Sequence, residues 1–255
     1  MSLTLAIYQG PPSQGDPKAA LLRLGTKLRA AAAGGADMLV VPELYLPGYN
    51  QPDLHGTLAQ PMGGPWFQSL SQLAQAAKCG LTVGWAERDG QAVYNAATAF
   101  DAGGQMLGHY RKIQLFGPME AASFRPGAAY CLFDLNGLKT ALLICYDVEF
   151  AHHVRALAQR GAQVILVPTA NPAGFEHVSR LLVPARAAEM GLTIAYANYC
   201  NAEDGLRFAG QSVIAGPDGQ ALAQAGTAEA LLISSLRAPL APQLIPTQLS
   251  DYRKV

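Results

Sequence analysis

The segments "GADMLVVPE" (35–43) and "GAQVILVPT" (161–169) share a helix-ending Gly-Ala, an unbroken apolar run and a Val-Pro stop. Apolar runs such as "MLVV" and "VILV" fit strands buried on both faces of a sheet, whereas a half-exposed strand would alternate. Each segment sits in the same order of predicted elements. In the first half the pattern predicts strands near 3–9, 38–42, 81–86, 93–100 and 105–110, with helices near 18–33 and 66–78. Leu21, Leu24, Leu28, Ala31 and Ala32 fall at helical spacing in the first of these helices. In the second half it predicts strands near 139–144, 163–167, 193–198, 210–215 and 220–224, with helices near 150–160 and 178–189. Each half ends in a glycine-containing hairpin signal, "TAFDAGGQMLGHY" (98–110) and "VIAGPDGQALAQA" (213–225), because glycine supplies the positive φ such turns require. The order β-α-β-α-β-β-β therefore appears twice. Two such units can stack sheet against sheet with helices outside, an α/β fold of four layers, α-β-β-α. Nothing linker-like separates them, so residues 1–255 are expected to form a single domain.

Composition narrows the function. The chain has 255 residues, half of them apolar, and a formal net charge of zero, a balance that argues against a nucleic-acid partner or an anionic membrane surface. No apolar run approaches the ~20 residues that span a bilayer, and "MSLTLAIYQG" lacks the basic start and long apolar core of a signal peptide. Cys79, Cys131, Cys145 and Cys200 are scattered, without CxxC pairs or zinc-site spacing. Free thiols in the cytoplasm are the expectation, with no metal and no cofactor.

Three reactive side chains follow predicted strands. Glu43 follows "MLVVP", Lys112 follows the 105–110 strand, and Cys145 follows "TALLI". Ligands of helix-covered sheets tend to bind beyond the carboxyl ends of the strands, so a carboxylate, an ammonium and a thiol can converge there. Each has a bland alternative: Cys145 as a small core residue, Glu43 as a solvated loop charge, Lys112 as an edge-strand charge that blocks sheet pairing. The adjacent His152 and His153 invite a Cys–His dyad, but neighbours on a helix point in different directions. "GGP" at 63–65 is too short for a phosphate cradle.

Taken together, "VVPELYLPGYN" (40–50), "YRKIQLFGPMEAASFRPG" (110–127) and "ALLICYDVEF" (141–150) resemble the nitrilase superfamily of carbon–nitrogen hydrolases. That resemblance spans nearly the whole chain, from "LAIYQG" to "GPDGQALAQAG", and implies the four-layer sandwich and a Glu–Lys–Cys triad. Carried over, Glu43 is the general base, Lys112 stabilises the tetrahedral intermediate and Cys145 is the nucleophile. Glu120 stands where many members have a second glutamate. The Tyr146 backbone N–H would join Lys112 in facing the oxyanion. The chemistry also holds on its own terms: a free thiol is only a few per cent thiolate at neutral pH and needs a nearby base or cation. Many relatives have Pro-Glu where this chain has Ala151–His152, which puts the helix start in question.

Cys-Tyr-Asp-Val-Glu-Phe looks like the amidase branches rather than the Cys-Trp-Glu of nitrilases proper. "AIYQGPP", "VPTANPAGFEH", "YANYCNAEDG" and "GQSVIAGPDG" resemble the 5-aminopentanamidase group and R-stereoselective amidases. The resemblance implies hydrolysis of a small, aliphatic or amino-substituted primary amide to an acid and ammonia through a thioester. Glu176 would meet a substrate amine, with a solvent-facing loop charge as its alternative, and Pro172 and Gly174 set this loop apart from the usual one. Tyr49, Asn171 and Phe175 would border Cys145, unless they only pack. Nitrilase or N-carbamoyl amine hydrolase activity on the same triad, or an idle metabolite-binding relative, are the competing readings. The resemblance also implies at least a homodimer, with the tail at about 236–255 as an interface arm.

Overall fold

The structure, a computed structural model, describes residues 3–236 and 240–253. The first half runs β1 (Thr4–Gln9), α1 (Pro17–Ala33), β2 (Met38–Val40), α2 (Pro52–Leu58), α3 (Pro65–Ala77), β3 (Gly80–Asp89), β4 (Ala92–Phe100), β5 (Met106–Arg111) and α4 (Gly117–Ser123). The second runs β6 (Cys131–Leu135), β7 (Leu138–Leu142), α5 (Ala151–Gln159), β8 (Val164–Pro168), α6 (Val183–Met190) and β9 (Thr193–Ala197). It continues through a two-residue pair, β10 (Ala202–Glu203) and β11 (Leu206–Arg207), to β12 (Val213–Ala215), β13 (Ala221–Gln224), β14 (Ala230–Ser235) and α7 (Gln248–Asp251). A 3₁₀ turn, Cys145–Glu149, joins β7 to α5, and a π-type turn, Val178–Leu182, leads into α6.

Two six-stranded sheets result, ordered β14-β1-β2-β3-β4-β5 and β13-β12-β9-β8-β7-β6. The expected β-α-β-α-β-β-β order is present twice, as β1-α1-β2-α3-β3-β4-β5 and β7-α5-β8-α6-β9-β12-β13. Each sheet gains one strand absent from the sequence expectation. β6 pairs antiparallel with β7, and β14 pairs antiparallel with β1. The β6–β7 turn is Asn136-Gly137, both at positive φ (52° and 82°), which is the strongest two-residue hairpin signal a sequence offers. β14 carries no comparable signal. It is half-buried, and its partner Thr4–Gln9 lies at the other end of the chain.

Alternation explains the layering. Leu5, Ile7, Met38 and Val40 share one core cluster with Leu142, Leu166, Ala195 and Ile214, which lie side by side on one face of the second sheet. Their neighbours Ala6, Tyr8, Leu39 and Val41 turn outward onto Leu24 and Leu28 of α1 and Leu70 of α3. Val154 and Leu157 of α5, with Val183 and Ala187 of α6, cover the second sheet from outside. The result is the four-layer α-β-β-α sandwich. α1 begins with Asp16, whose side chain accepts from the N–H groups of Lys18 and Ala19, and Pro17 follows at the first helical position. In the described part of the tail, Arg155 of α5 stacks over the Tyr252 ring at 4.2 Å, while 237–239 and 254–255 of the expected arm lie outside the described residues. No helix among the described residues is long and apolar enough to cross a membrane.

Candidate active site

The two sheets bring their strand ends together at one place. Glu43 lies just beyond β2, and its backbone N–H donates to Thr169 O, just beyond β8, at 3.3 Å. That bond ties the first sheet to the second. Gly84 of β3 makes room for it: a Cβ there would sit 2.7 Å from Glu43 Cα. Lys112 continues β5, with its N–H on Asn95 O at 2.8 Å and its own carbonyl accepting from Gly127 N–H at 2.7 Å.

Cys145 stands at the start of the 3₁₀ turn rather than at the end of β7 itself, with φ at 45°. A non-glycine residue there costs roughly 1–3 kcal/mol and is held only where its surroundings require it. Asp147 is what holds it. This buried carboxylate accepts from Ile144 N–H (3.0 Å), Gln114 N–H (2.7 Å) and Tyr110 Oη (2.9 Å), so the turn is locked onto β5 and the loop after it. Burial lifts the Asp147 carboxyl to about 6.

The charged centre is fully buried. Lys112 Nζ donates to Glu43 Oε1 at 2.6 Å and to Glu120 Oε1 at 2.7 Å, and all three side chains are inaccessible to solvent. The two carboxylates differ in their donors. Glu120 is held through both oxygens, by Lys112, by Tyr49 Oη at 2.9 Å and by Phe116 N–H at 3.0 Å. Glu43 receives Lys112 and Asn95 Nδ2 (2.7 Å) on Oε1 alone, and its buried Oε2 has no hydrogen-bond partner among the described residues.

One ammonium faces two carboxylates, so the cost of the uncompensated negative charge is felt at Glu43, the one with fewer donors. Burial raises the Glu43 carboxyl to about 7, against the pull of Lys112, and the Glu120 charge adds to the rise. Burial opposes the Lys112 charge, but Glu43 and Glu120 overcome it and keep the ammonium protonated. The Cys145 thiol, 7% exposed, is pushed up by burial and by the Glu43 charge, with Lys112 acting the other way. It rests as a thiol. The arrangement supplies a buried thiol, a carboxylate with one unbonded oxygen, and a cation held between two carboxylates.

The other residues singled out from sequence fall into two groups. Tyr49 joins the centre through Glu120, and Tyr146 and Phe175 form a rim. The Tyr146 ring packs edge-on against Phe116 (5.2 Å) and Phe150 (4.8 Å), and Phe116 meets Phe175 at 5.9 Å. Asn171 and Glu176 instead make their bonds within their own loop and its supports. Asn171 Nδ2 donates to Phe175 O at 2.9 Å, while the exposed Glu176 carboxylate accepts from Gly174 N–H at 3.1 Å, which holds its pKa down. His152 is exposed. His153 has both ring nitrogens engaged, Nδ1 with Tyr130 Oη (2.7 Å) and Nε2 with Gln114 Nε2 (3.0 Å), so it is bound away from the cysteine.

Three residues of this site were not read from the sequence: Asn95, Asp147 and Thr169. Asn95 had a signal, a lone amide inside the otherwise apolar "VYNAATAF". Asp147 and Thr169 stood in motifs already in view, but their partners lie on other strands.

Residues 4–243 match the model of the carbon-nitrogen hydrolase family. A Pseudomonas protegens protein named "Hydrolase in pqqF 5'region" is 44% identical over 239 residues, covering 92% of this chain and 83% of that protein. An (R)-stereoselective amidase from Pseudomonas sp. is 36% identical over 201 residues, 78% of this chain and 73% of that one. Among solved structures, a mutant of the amidase from Nesterenkonia sp. AN1, with acrylamide joined to its active-site cysteine by Michael addition, superposes with a TM-score of 0.90. It is 34% identical and covers 98% of this chain and 96% of that one. A further mutant of the same amidase, in complex with butyramide, gives a TM-score of 0.87 at 33% identity, over 98% of this chain and 94% of that one.

Proposed function

The chain belongs to the carbon–nitrogen hydrolase family, and on that footing we propose that it is a cysteine amidase turning a small primary amide into a carboxylic acid and ammonia. The observation that carries this reading is the buried Lys112 bridging Glu43 and Glu120, with Glu43 Oε2 left without a hydrogen-bond partner among the described residues. The Cys145 sulfur attacks the amide carbon while its proton passes to Glu43. Lys112 and the Tyr146 N–H, at the first turn of its helix and so without an intrahelical partner, receive the oxyanion. Collapse breaks the C–N bond, and Glu43 returns the proton to the leaving nitrogen, which departs as ammonia. Glu43 then takes a proton from water as its oxygen attacks the thioester, and the acid leaves with the thiol restored.

The aromatic rim of Phe116, Tyr146, Phe150 and Phe175 suits an aliphatic acyl group. The Nesterenkonia amidase structures with acrylamide and butyramide support short chains of this kind. An amine-ended chain such as 5-aminopentanamide would meet the ionised Glu176 at the outer loop. The test is ammonia release from butyramide, pentanamide, 5-aminopentanamide, the matching nitriles and an N-carbamoyl amine, with mass spectrometry of the Cys145 peptide at steady state. We expect the amides to react and the peptide to gain the acyl mass. Turnover confined to nitriles or N-carbamoyl amines would overturn the amidase reading. A 5-aminopentanamide preference that persists in Glu176→Gln would remove Glu176 from recognition.

The acid limb of activity provides a second check. Glu43 works as a base only when ionised, and burial has raised its pKa to about 7. Activity is therefore expected to fall as pH drops below about 7, losing one proton's worth of slope, rather than holding down to the ordinary carboxylate range near 4.3. Initial rates from pH 5 to 9 in constant ionic strength measure this. A flat profile down to pH 5 would contradict it.

A further inference from the structure

Two hydroxyls beside Cys145 have no part in the reaction just described. Thr169 follows β8, and its backbone is fixed on both sides: its N–H donates to Ala197 O at 2.9 Å, and its carbonyl accepts from Glu43 N–H. Its side chain is fully buried, with the hydroxyl beside the Cys145 sulfur. Tyr196 of β9 is also fully buried, and its Oη approaches the same Thr169 hydroxyl. Yet neither Thr169 Oγ1 nor Tyr196 Oη completes a well-formed hydrogen bond with any described residue. Buried hydroxyls nearly always find partners, so two adjacent unbonded ones next to a nucleophile point to an acceptor that arises during turnover.

We propose that Thr169 is a positioning residue whose hydroxyl donates to the Cys145 sulfur as negative charge gathers there, with Tyr196 donating to Thr169 behind it. The sulfur's proton still goes to Glu43; Thr169 and Tyr196 keep their own protons and only orient them. The Ala170 N–H lies near the same sulfur and can serve as a second donor. The same residue thereby sets both partners of the proton transfer, since its carbonyl holds the Glu43 backbone and its hydroxyl steers the thiol. Lone-pair direction matters here: a sulfur aimed by a hydroxyl presents one defined face to the amide carbon. This inference rests on Cys145 being the nucleophile.

Thr169→Val keeps the shape and removes the donor, Thr169→Ser restores it, and Tyr196→Phe removes the second hydroxyl alone. Two readouts apply: the pH dependence of Cys145 alkylation by iodoacetamide, and kcat and KM for butyramide. The titratable groups facing the sulfur, Glu43, Lys112, Tyr49 and Tyr196, are unchanged in the Thr169 variants, so a shift reports on the hydroxyl. In Thr169→Val the alkylation profile is expected to move up by about one pH unit and kcat to fall roughly 10- to 100-fold, with KM nearly unchanged. Thr169→Ser should return both toward wild type, and Tyr196→Phe should give a smaller shift in the same direction. A Thr169→Val profile that overlays wild type, or a Tyr196→Phe profile and kcat that match wild type should Thr169→Val fail to fold, would overturn the proposal. Absence of alkylation and of ammonia release in the wild type would instead strike at the amidase reading itself, and the two failures are thus told apart.

Discussion

Replacing Cys145 by alanine is expected to cut ammonia release by on the order of 10⁴-fold or more, because a nucleophile acting as one unit with its base leaves little behind when removed. Serine should rescue almost nothing. Its hydroxyl is far less acidic than a thiol, and Glu43, even raised to about 7, is too weak a base to take that proton. Stability should hardly change, since alanine accepts the same backbone and the thiol fills little volume. Glycine gives a sharper contrast. It adopts φ near 45° without penalty, so Cys145→Gly should be as inactive as alanine yet more thermostable than it, by about 1 kcal/mol. Rates on butyramide and thermal melts of the three variants measure this. A serine variant within tenfold of wild type would reject Cys145 as the attacking atom.

Lys112→Met should damage both the fold and the reaction. Methionine is close in length, but it removes the one cation between two fully buried carboxylates. Breaking a buried charge pair from one side costs about 3–5 kcal/mol, because the remaining charges are left without compensation. For a chain of this size that lowers Tm by roughly 10 °C. Two carboxylates facing each other cannot both stay ionised, so one takes up a proton and Glu43 is no longer a dependable base. The rate should fall at least 10²- to 10³-fold from the lost oxyanion contact alone. Adding Glu120→Gln removes the second carboxylate charge. The double variant is expected to regain much of the Tm while its rate stays near that of Lys112→Met. Calorimetry with parallel rate assays checks this, and a single variant with wild-type Tm would show that the three charges are not coupled as described.

Legibility followed burial and sequence distance. β2 and β8 were readable because strands covered on both faces are apolar throughout, and α1 because its leucines recur at helical spacing. β6 was readable in principle from Asn136-Gly137, although it stands outside the larger repeat. β14 was not: its half-buried face gives weak alternation, and among the described residues its only strand partner is β1. The π-type turn before α6 also escaped, since nothing in "VSRLL" distinguishes it from ordinary helix. In the site, Glu43, Lys112 and Cys145 stood out as reactive residues after strands. Thr169 did not, although it ends one of the two segments that organise the chain, because threonine after a strand has many ordinary uses.

The sequence alone determined the duplicated β-α-β-α-β-β-β order and the three reactive side chains placed after strands. These follow from local properties: apolar period, turn chemistry and residue type. Only the tertiary structure showed how differently the two carboxylates are held. Glu43 and Glu120 are chemically identical, and both touch Lys112. Glu120 has donors on both oxygens from Tyr49, Lys112 and the Phe116 backbone, which satisfy its charge in place. Glu43 is bonded through one oxygen and keeps the other open. That difference comes from five hydrogen bonds assembled across separate strands and loops, and no stretch of the chain contains it.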